Sequence, residues 1–220
     1  MGLIGTDALC AEKIAEGAAR LAGSIVAPTL SYTPAPFNMA FPGTISVSVP
    51  LFEAMAFEIV AGLRSQGFDY IYFVNGHGAN IAPLKRVAAA CRDATVRVRS
   101  WWDFESVNAL RRDYYGDWEG MHATPSEVAI TQATHRVVPA GTATAPPEKL
   151  SAEYIKQHAG DRHGPPDEHR RQFPDGRVGS HSALAMPEHG HALLKAAETA
   201  VAKDYSEPPD PARSRSRGDT

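Results

Sequence analysis

Four side chains that could carry chemistry stand where the chain changes direction. Asp7 and Glu127 open helical patterns, His77 follows a strand pattern, and His122 lies just ahead of Glu127. Because such ends meet at one edge of a parallel sheet, residues distant in sequence can converge there. Two carboxylates and an imidazole match a three-ligand centre for zinc, manganese or iron with an open position for water. A second, unligated histidine would be free for proton transfer or for stabilising charge on a carbonyl under attack.

Each of these residues also has a purely structural interpretation. Thr124-Pro125-Ser126-Glu127 is a complete capping box, with Thr as the N-cap, Pro at the first helical position and Glu at the third. Asp7 equally suits a helix cap, His122 a buried polar network and His77 a tight surface turn. On local pattern alone both kinds of interpretation stay open.

The stretch from Tyr70 to Val74 predicts the central strand. Its five consecutive β-branched or aromatic residues lack polar alternation, which is typical of a strand covered on both faces. Asn75, His77 and Gly78 then stand at the carboxyl end, the usual ligand position in an open α/β sheet, so we expect Asn75 and Gly78 to contact substrate. A nucleotide phosphate loop at 76–78 is a weaker alternative, because the third glycine of that fingerprint is missing.

The rest of the chain predicts further helices and strands around this one. Helices are expected at 8–22, 51–66, 81–91, 102–115, 128–133 and 188–203, and strands at 23–27, 44–49, 95–101 and 136–138. We expect the aromatic loop 28–43, together with Trp101 and Trp102, to wall a pocket and Trp102 to contact substrate. Residues 141–177 are rich in proline and charge and predict a partly ordered excursion.

Six further histidines receive no chemical role. Four lie in polar loops, and two lie near a helix start and are expected at the surface: His158, His163, His169 and His181 are the first group, and His189 and His191 the second.

Composition narrows the class of protein. The 220 residues suit one domain, placed at 1–205, followed by a disordered tail at 206–220. A hydrophobic fraction of 43% and a charged fraction of 21% are ordinary for a soluble globular protein. The net charge of −3 argues against nucleic-acid partners, and no apolar run predicts a membrane span or signal. Two distant cysteines, Cys10 and Cys91, suit a reducing cytoplasm.

Three motifs carry a resemblance to a known family. The segments 75–80 (Asn-Gly-His-Gly-Ala-Asn), 122–127 (His-Ala-Thr-Pro-Ser-Glu) and 41–46 (Phe-Pro-Gly-Thr-Ile-Ser) resemble the creatininase (creatinine amidohydrolase) family. The resemblance runs from about residue 5 to 204. It implies an α/β fold, a three-layer α/β/α sandwich with a mostly parallel central sheet. It also implies one or two divalent metal ions and a homo-oligomer, often a hexamer.

The same resemblance implies roles for individual residues. Asp7, His77 and Glu127 match metal ligands of the family, and Asp7 could bridge two ions. His122 matches the histidine that the family uses near the scissile bond. The implied reaction is cleavage of a C–N bond in a cyclic or other non-peptide small-molecule amide by metal-activated water.

The sequence also departs from the family pattern. The strand and Glu-x-His-Gly-Pro-His segment that the family has ahead of Asp7 do not occur in residues 1–6. Either the true start of the chain lies further upstream, or the chain is a degenerate copy, for which we expect the loss of one metal site and an alternative function. That alternative is a catalytically inactive member acting as an assembly or interaction subunit. Asn38 stands where many members carry histidine, and Ala79 replaces an acidic residue of creatinine-hydrolysing members. These two departures predict a substrate other than creatinine.

Overall fold

A computed structural model describes residues 2–207 of the chain. Within that range the helices are α1 (Thr6–Ala22), α2 (Val49–Ser65), α3 (Ile81–Ala90), α4 (Glu105–Tyr115), α5 (Pro125–Thr134), α6 (Ala152–Gln157), α7 (Pro166–Gln172) and α8 (Pro187–Ser206), and the strands are β1 (Tyr70–Asn75) and β2 (Thr95–Ser100). None of these helices is both long and apolar enough to cross a membrane. The predicted tail begins inside α8, and its residues 208–220 lie outside the described residues.

The two strands form a parallel pair. Their register runs from Tyr70 opposite Thr95 to Asn75 opposite Ser100. A parallel connection needs a crossover, and α3 supplies it. The predicted α/β class with parallel strands is therefore confirmed, although the sheet of the described residues has only these two strands.

Helices cover both faces of this small sheet. Tyr72 and Val74 of β1 pack against one apolar cluster, whereas the intervening Phe73 packs against another. Because successive strand side chains point to opposite faces, this packing explains why β1 shows no polar alternation. The first cluster includes Cys10, Ile14, Val107, Ile130, Leu193 and Ala197 from α1, α4, α5 and α8, and the second includes Phe52, Ala56, Leu84 and Val87 from α2 and α3.

Three of the predicted strands are wrong. The segments 23–27, 44–49 and 136–138 form no strand, and the apolar side chains of Ile25, Ile45 and Val137 are 74%, 62% and 60% exposed. A β-branched run becomes a strand only where a neighbouring strand satisfies its backbone groups and covers its side chains. Among the described residues these runs have no such neighbour.

The helix predictions are confirmed, and the proline-rich segment is more regular than predicted. All six predicted helices are present, with ends within three residues of the expected positions. The segment 141–177 contributes α6 and α7, and buried Arg177 fastens it by donating to the carbonyl oxygens of Ala143 and Ala145 at 3.0 and 2.8 Å. This segment forms part of the site described below.

Helices α5 and α8 cross at very short range. A Cβ atom added at Gly190 of α8 would lie 2.0 Å from the carbonyl oxygen of Ala129 in α5. That obstacle is backbone, so it cannot move aside as a flexible side chain would. Glu127 lies in the first turn of α5, so the crossing also sets the position of this candidate site residue.

We expect Gly190→Ala to lower the free energy of unfolding by about 1–3 kcal/mol, because the added methyl group forces the two helices apart. Urea unfolding followed by circular dichroism measures this effect. The matched control is Gly62→Ala in α2, where an added Cβ meets nothing within 4 Å. That change should stabilise the protein by roughly 0.5–1 kcal/mol through helix propensity. Equal effects of the two substitutions would contradict the close crossing.

Candidate active site

A cavity of about 250 Å³ lies beyond the carboxyl ends of β1 and β2. Its wall includes residues that follow β1 directly and residues that follow β2 directly. Six of the seven site residues predicted from sequence line it: Asp7, His77, Gly78, Trp102, His122 and Glu127. Side chains far apart in sequence thus meet at one edge of the sheet, which is where the parallel topology predicts a ligand site.

Asn75 is the exception, because it does not line the cavity. Its buried side chain organises the loop after β1 instead. The Nδ2 group donates to the carbonyl of His77 at 2.9 Å and to Oγ of Ser100 at 3.0 Å, and Oδ1 accepts from the backbone N–H of His77 at 3.2 Å. The expected substrate contact of Asn75 therefore has no counterpart in this geometry. The residue positions His77 by fastening its loop to the end of β2.

The structure shows which of the two carboxylates, Asp7 or Glu127, caps its helix. Glu127 takes part in the predicted capping box: its Oε1 accepts from the backbone N–H of Thr124 at 2.9 Å, and its own N–H donates to Oγ1 of Thr124 at 3.3 Å. The second oxygen, Oε2, takes no part in the cap. Asp7 caps nothing, because the N-cap of α1 is Gly5 in the left-handed conformation and no side chain bonds there. The helix-cap interpretation of Asp7 is therefore wrong.

Burial and repulsion between carboxylates raise the pKa values of Asp7 and Glu127. Burial raises the pKa of Asp7, and the negative charge of Asp161 raises it further against the opposing effect of His77. Burial raises the pKa of Glu127 well above its ordinary value, with the charge of Asp7 acting in the same direction. Each carboxylate disfavours the ionisation of the other. A divalent cation bound beside them would stabilise the charged form of both.

The donors fit a divalent ion in type and charge. Carboxylate oxygens and an imidazole line one cavity, and Nδ1 of His77 is buried without a hydrogen-bond partner among the described residues. Across residues 2–207, however, no three His, Cys, Asp or Glu side chains already stand in metal-binding geometry. Binding an ion here would therefore require the side chains to draw together.

His122 is half-buried and neutral at pH 7. Burial lowers its pKa to about 4, and the neighbouring charge of His77 acts in the same direction. Its Nε2 lies 3.4 Å from Nδ2 of Asn38, a residue of the aromatic loop. With the amide of Asn38 as donor, the ring carries its proton on Nδ1 and Nε2 is an acceptor. The ring is therefore neutral at pH 7, and Nε2 can take up a proton only after it releases the amide of Asn38.

Sequence reasoning missed the contribution of the segment 141–177. Asp161 lines the cavity, and its Oδ2 lies 3.5 Å from Nε2 of His77. Burial pushes the pKa of Asp161 upward, but the imidazoles of His163 and His77 outweigh this effect and hold the pKa below its ordinary value. The available signal was the density of histidines in this segment, which a purely polar loop does not need.

Those histidines form a buried aromatic cluster around Phe37. The ring centroid of Phe37 lies 4.8 Å from that of His163 and 5.1 Å from that of His169. The side chain of His163 is 1% exposed and His169 as a whole is 3% exposed. His163 lies in a loop, as predicted, whereas the loop prediction is wrong for His169, which lies in α7. His158 joins the cluster by stacking on His163 at 5.4 Å.

His181, His189 and His191 make other contacts. The backbone N–H of His181 donates to the carbonyl of Trp118 at 2.9 Å. His189 stacks on Tyr114 with ring centroids 4.0 Å apart and is half-buried, so its predicted surface position is wrong. His191 is exposed, which confirms the prediction.

Comparison with known proteins identifies the family. The family model described as creatinine amidohydrolase matches residues 1–204, so the chain belongs to the creatininase family. A putative creatinine amidohydrolase from Bacteroides fragilis NCTC 9343 is 21% identical, with a TM-score of 0.70 over 92% of this chain and 81% of that chain. A creatininase mutant complexed with creatine is 22% identical, with a TM-score of 0.71 over 93% and 85% of the two chains. No curated protein matches.

A third structure agrees with these. A creatininase mutant carrying a tryptophan-to-phenylalanine change is 21% identical, with a TM-score of 0.71 over 94% of this chain and 84% of that chain. Likeness at this level of identity establishes the fold. Together with the family match it supports an amidohydrolase-like function for this chain.

The buried histidine cluster makes stability depend on pH. Burial lowers the pKa of His169 to about 4, and the charge of His163 contributes to the lowering. The unfolded chain then binds more protons than the folded chain between about pH 6.5 and pH 4, so stability falls as pH falls through this window. The slope from one such histidine is at most roughly 1.4 kcal/mol per pH unit.

We expect His169→Gln to flatten the pH dependence of the free energy of unfolding in this window, because the variant lacks one group that protonates only on unfolding. Urea titrations at several pH values between 6.5 and 4.5 measure the slope. His191→Gln, at an exposed position of α8, should keep the wild-type slope. A slope in His169→Gln identical to that of wild type would show that His169 titrates normally in the folded protein.

Proposed function

We propose that this protein hydrolyses a C–N bond in a small non-peptide amide within the cavity beyond β1 and β2. One observation carries the proposal: Asp7, His77, His122 and Glu127, which come from separate parts of the chain, line the same cavity. These are the types of residue that metal-assisted hydrolysis requires, namely anionic and imidazole donors beside a neutral histidine.

Asp7, His77 and Glu127 would hold the divalent ion, with zinc, manganese or iron as candidates and one or two ions per chain. The raised pKa values of both carboxylates support this role, because a cation would relieve their repulsion. When bound, such an ion lowers the pKa of a coordinated water and polarises the amide carbonyl.

His122 would move the proton. Its low pKa keeps it neutral at pH 7, and the contact with Asn38 turns an unprotonated Nε2 towards a defined partner. In hydrolysis Nε2 would exchange the amide of Asn38 for the attacking water, accept a proton from that water and return it to the leaving nitrogen, which cannot depart as a free anion. Asn38 thereby acts as a positioning residue for the ring.

The cavity limits the substrate to a small molecule. A volume of about 250 Å³ lies just below the range of roughly 300–1,000 Å³ usual for drug-sized ligands. Trp101 is 2% exposed and Trp102 is half-buried, and both aromatic residues line the cavity. Trp102 and the backbone at Gly78 are our candidates for substrate contact. A compact linear or cyclic amide fits these walls.

The reaction and the metal are tested together. Purified protein supplied with Zn²⁺, Mn²⁺ or Fe²⁺ should hydrolyse at least one member of a panel of small linear and cyclic amides. His77→Ala should lose both bound metal, measured by elemental analysis, and hydrolysis. His122→Gln should keep its metal and lose about 100-fold or more in kcat, the usual scale of acid–base catalysis.

His191→Ala is the control, since this exposed histidine lies outside the cavity and should leave both readouts unchanged. Unchanged metal content in His77→Ala would contradict the ligand assignment. Metal-loaded protein that hydrolyses none of the amides would contradict the proposed reaction.

We also propose a cytoplasmic homo-oligomer, up to a hexamer. Both cysteines are free thiols, which suits a reducing compartment. Several large apolar side chains are exposed, among them Ile4 at 89% and Ile25 at 74%, and a second copy of the chain could cover them. Light scattering coupled to gel filtration should therefore give a mass of two or more chains of 23.7 kDa each. A monomer at micromolar concentration would exclude a stable assembly.

A further inference from the structure

Asp161 faces His77 at a distance that suits a shared ion better than a hydrogen bond. Its Oδ2 lies 3.5 Å from Nε2 of His77, and the two side chains are each 9% exposed. Hydrogen bonds from nitrogen to oxygen normally span about 2.7–3.2 Å. Two donors bound tetrahedrally to one zinc ion, each at about 2.1 Å, lie roughly 3.4 Å apart. The observed separation therefore matches two ligands of one ion.

The surrounding residues hold Asp161 in this position. The backbone N–H of Ala79 donates to Oδ2 at 3.0 Å, as the second layer of contacts around a ligating carboxylate commonly does. Gly78 leaves the necessary room, since a Cβ atom there would lie 2.2 Å from Oδ2. Asp161 itself has a φ of 55°, a left-handed conformation that is uncommon outside glycine and tends to persist where function requires it.

The ring of His77 stacks on Phe37 with ring centroids 6.1 Å apart, but its nitrogens lack good hydrogen bonds. Its Nδ1 is buried without a hydrogen-bond partner among the described residues, and its Nε2 faces Asp161 across a gap too long for a good hydrogen bond. Most buried polar side-chain atoms have a hydrogen-bond partner. The imidazole of His77 and the carboxylate of Asp161 are therefore two neighbouring donors that one cation could bind together.

We propose that Asp161 is a ligand of the metal centre and binds the same divalent ion as His77. The ligand set then consists of Asp7, His77, Glu127 and Asp161, and the last comes from the segment 141–177, to which sequence reasoning gave no chemical role. This inference rests on the metal centre of the proposed function. It adds a fourth donor, supplied by the segment between α6 and α7.

Titration of the full chain with Co²⁺, followed by its visible absorption, tests the assignment. Asp161→Asn keeps the size of the side chain but removes its charge. We expect a loss of Co²⁺ affinity of more than about 100-fold. Losing a residue that only supports a ligand typically costs roughly 10–100-fold. The visible spectrum should also change, because one donor oxygen is replaced. Asp167→Asn, an exposed position in α7, should match wild type in both respects.

The outcomes separate this inference from the proposed function. If wild type binds Co²⁺ and Asp161→Asn binds it with the same affinity and spectrum, Asp161 is not a ligand while the metal centre stands. A smaller loss with an unchanged spectrum would make Asp161 a positioning residue for His77 and would also overturn the assignment. If wild type binds no Co²⁺, the metal centre itself fails and this inference fails with it.

Gly78→Ala covers the case in which variants of Asp161 do not fold, since unchanged Co²⁺ affinity in Gly78→Ala would by itself contradict the proposal. Gly78→Ala should weaken Co²⁺ binding because the new methyl group displaces Oδ2 of Asp161. In an Asp161→Ala background the same change should add no further loss, since the displaced group is already absent. Additive losses in the double variant would show that Gly78 acts independently of Asp161, contrary to the proposal. Circular dichroism of each variant verifies the fold.

Discussion

The parallel pairing of β1 with β2 is the constraint on which the position of the site depends. The strands end together at Asn75 and Ser100, and a hydrogen bond of 3.0 Å joins the side chains of these two residues. The segments that leave the sheet therefore start from one edge, with His77 after β1 and Trp101 after β2. Parallel strands cannot be joined by a tight turn, so α3 must cross one face before β2 begins. The cavity occupies the space that this geometry leaves beyond the strand ends.

Buried charge and backbone strain are concentrated around that space. Asp7, Glu127 and Asp161 line one cavity, although burying carboxylates is unfavourable unless a counter-charge compensates them. Ala123 and Asp161 both have a φ of 55°, and they are the non-glycine residues with positive φ in the described part of the chain. Each such conformation costs on the order of 1–3 kcal/mol. The helices packed around the sheet must supply the stability that holds these unfavourable groups together.

Local pattern predicted helices better than strands in this chain. A helix satisfies most of its hydrogen bonds within one segment, so α1 and α8 could be recognised from spacing alone. A strand depends on a partner that lies elsewhere in sequence. The runs 70–75 and 95–100 pair with each other, whereas 23–27 has the same β-branched character and finds no partner among the described residues. Propensity could not distinguish these cases, because the difference lies in the neighbours.

The sequence by itself determined the donor types and the motifs in which His77, His122 and Glu127 stand, because these depend on residue identity and short spacing. Only the tertiary structure decided that Asn75 supports a loop, that Asp7 caps nothing, and that Asp161 reaches the cavity. Asp161 lies 84 positions after His77, and no local pattern encodes a contact across such a separation. That contact exists because the segment 141–177 folds back over the edge of the sheet, and packing between distant elements determines such a path.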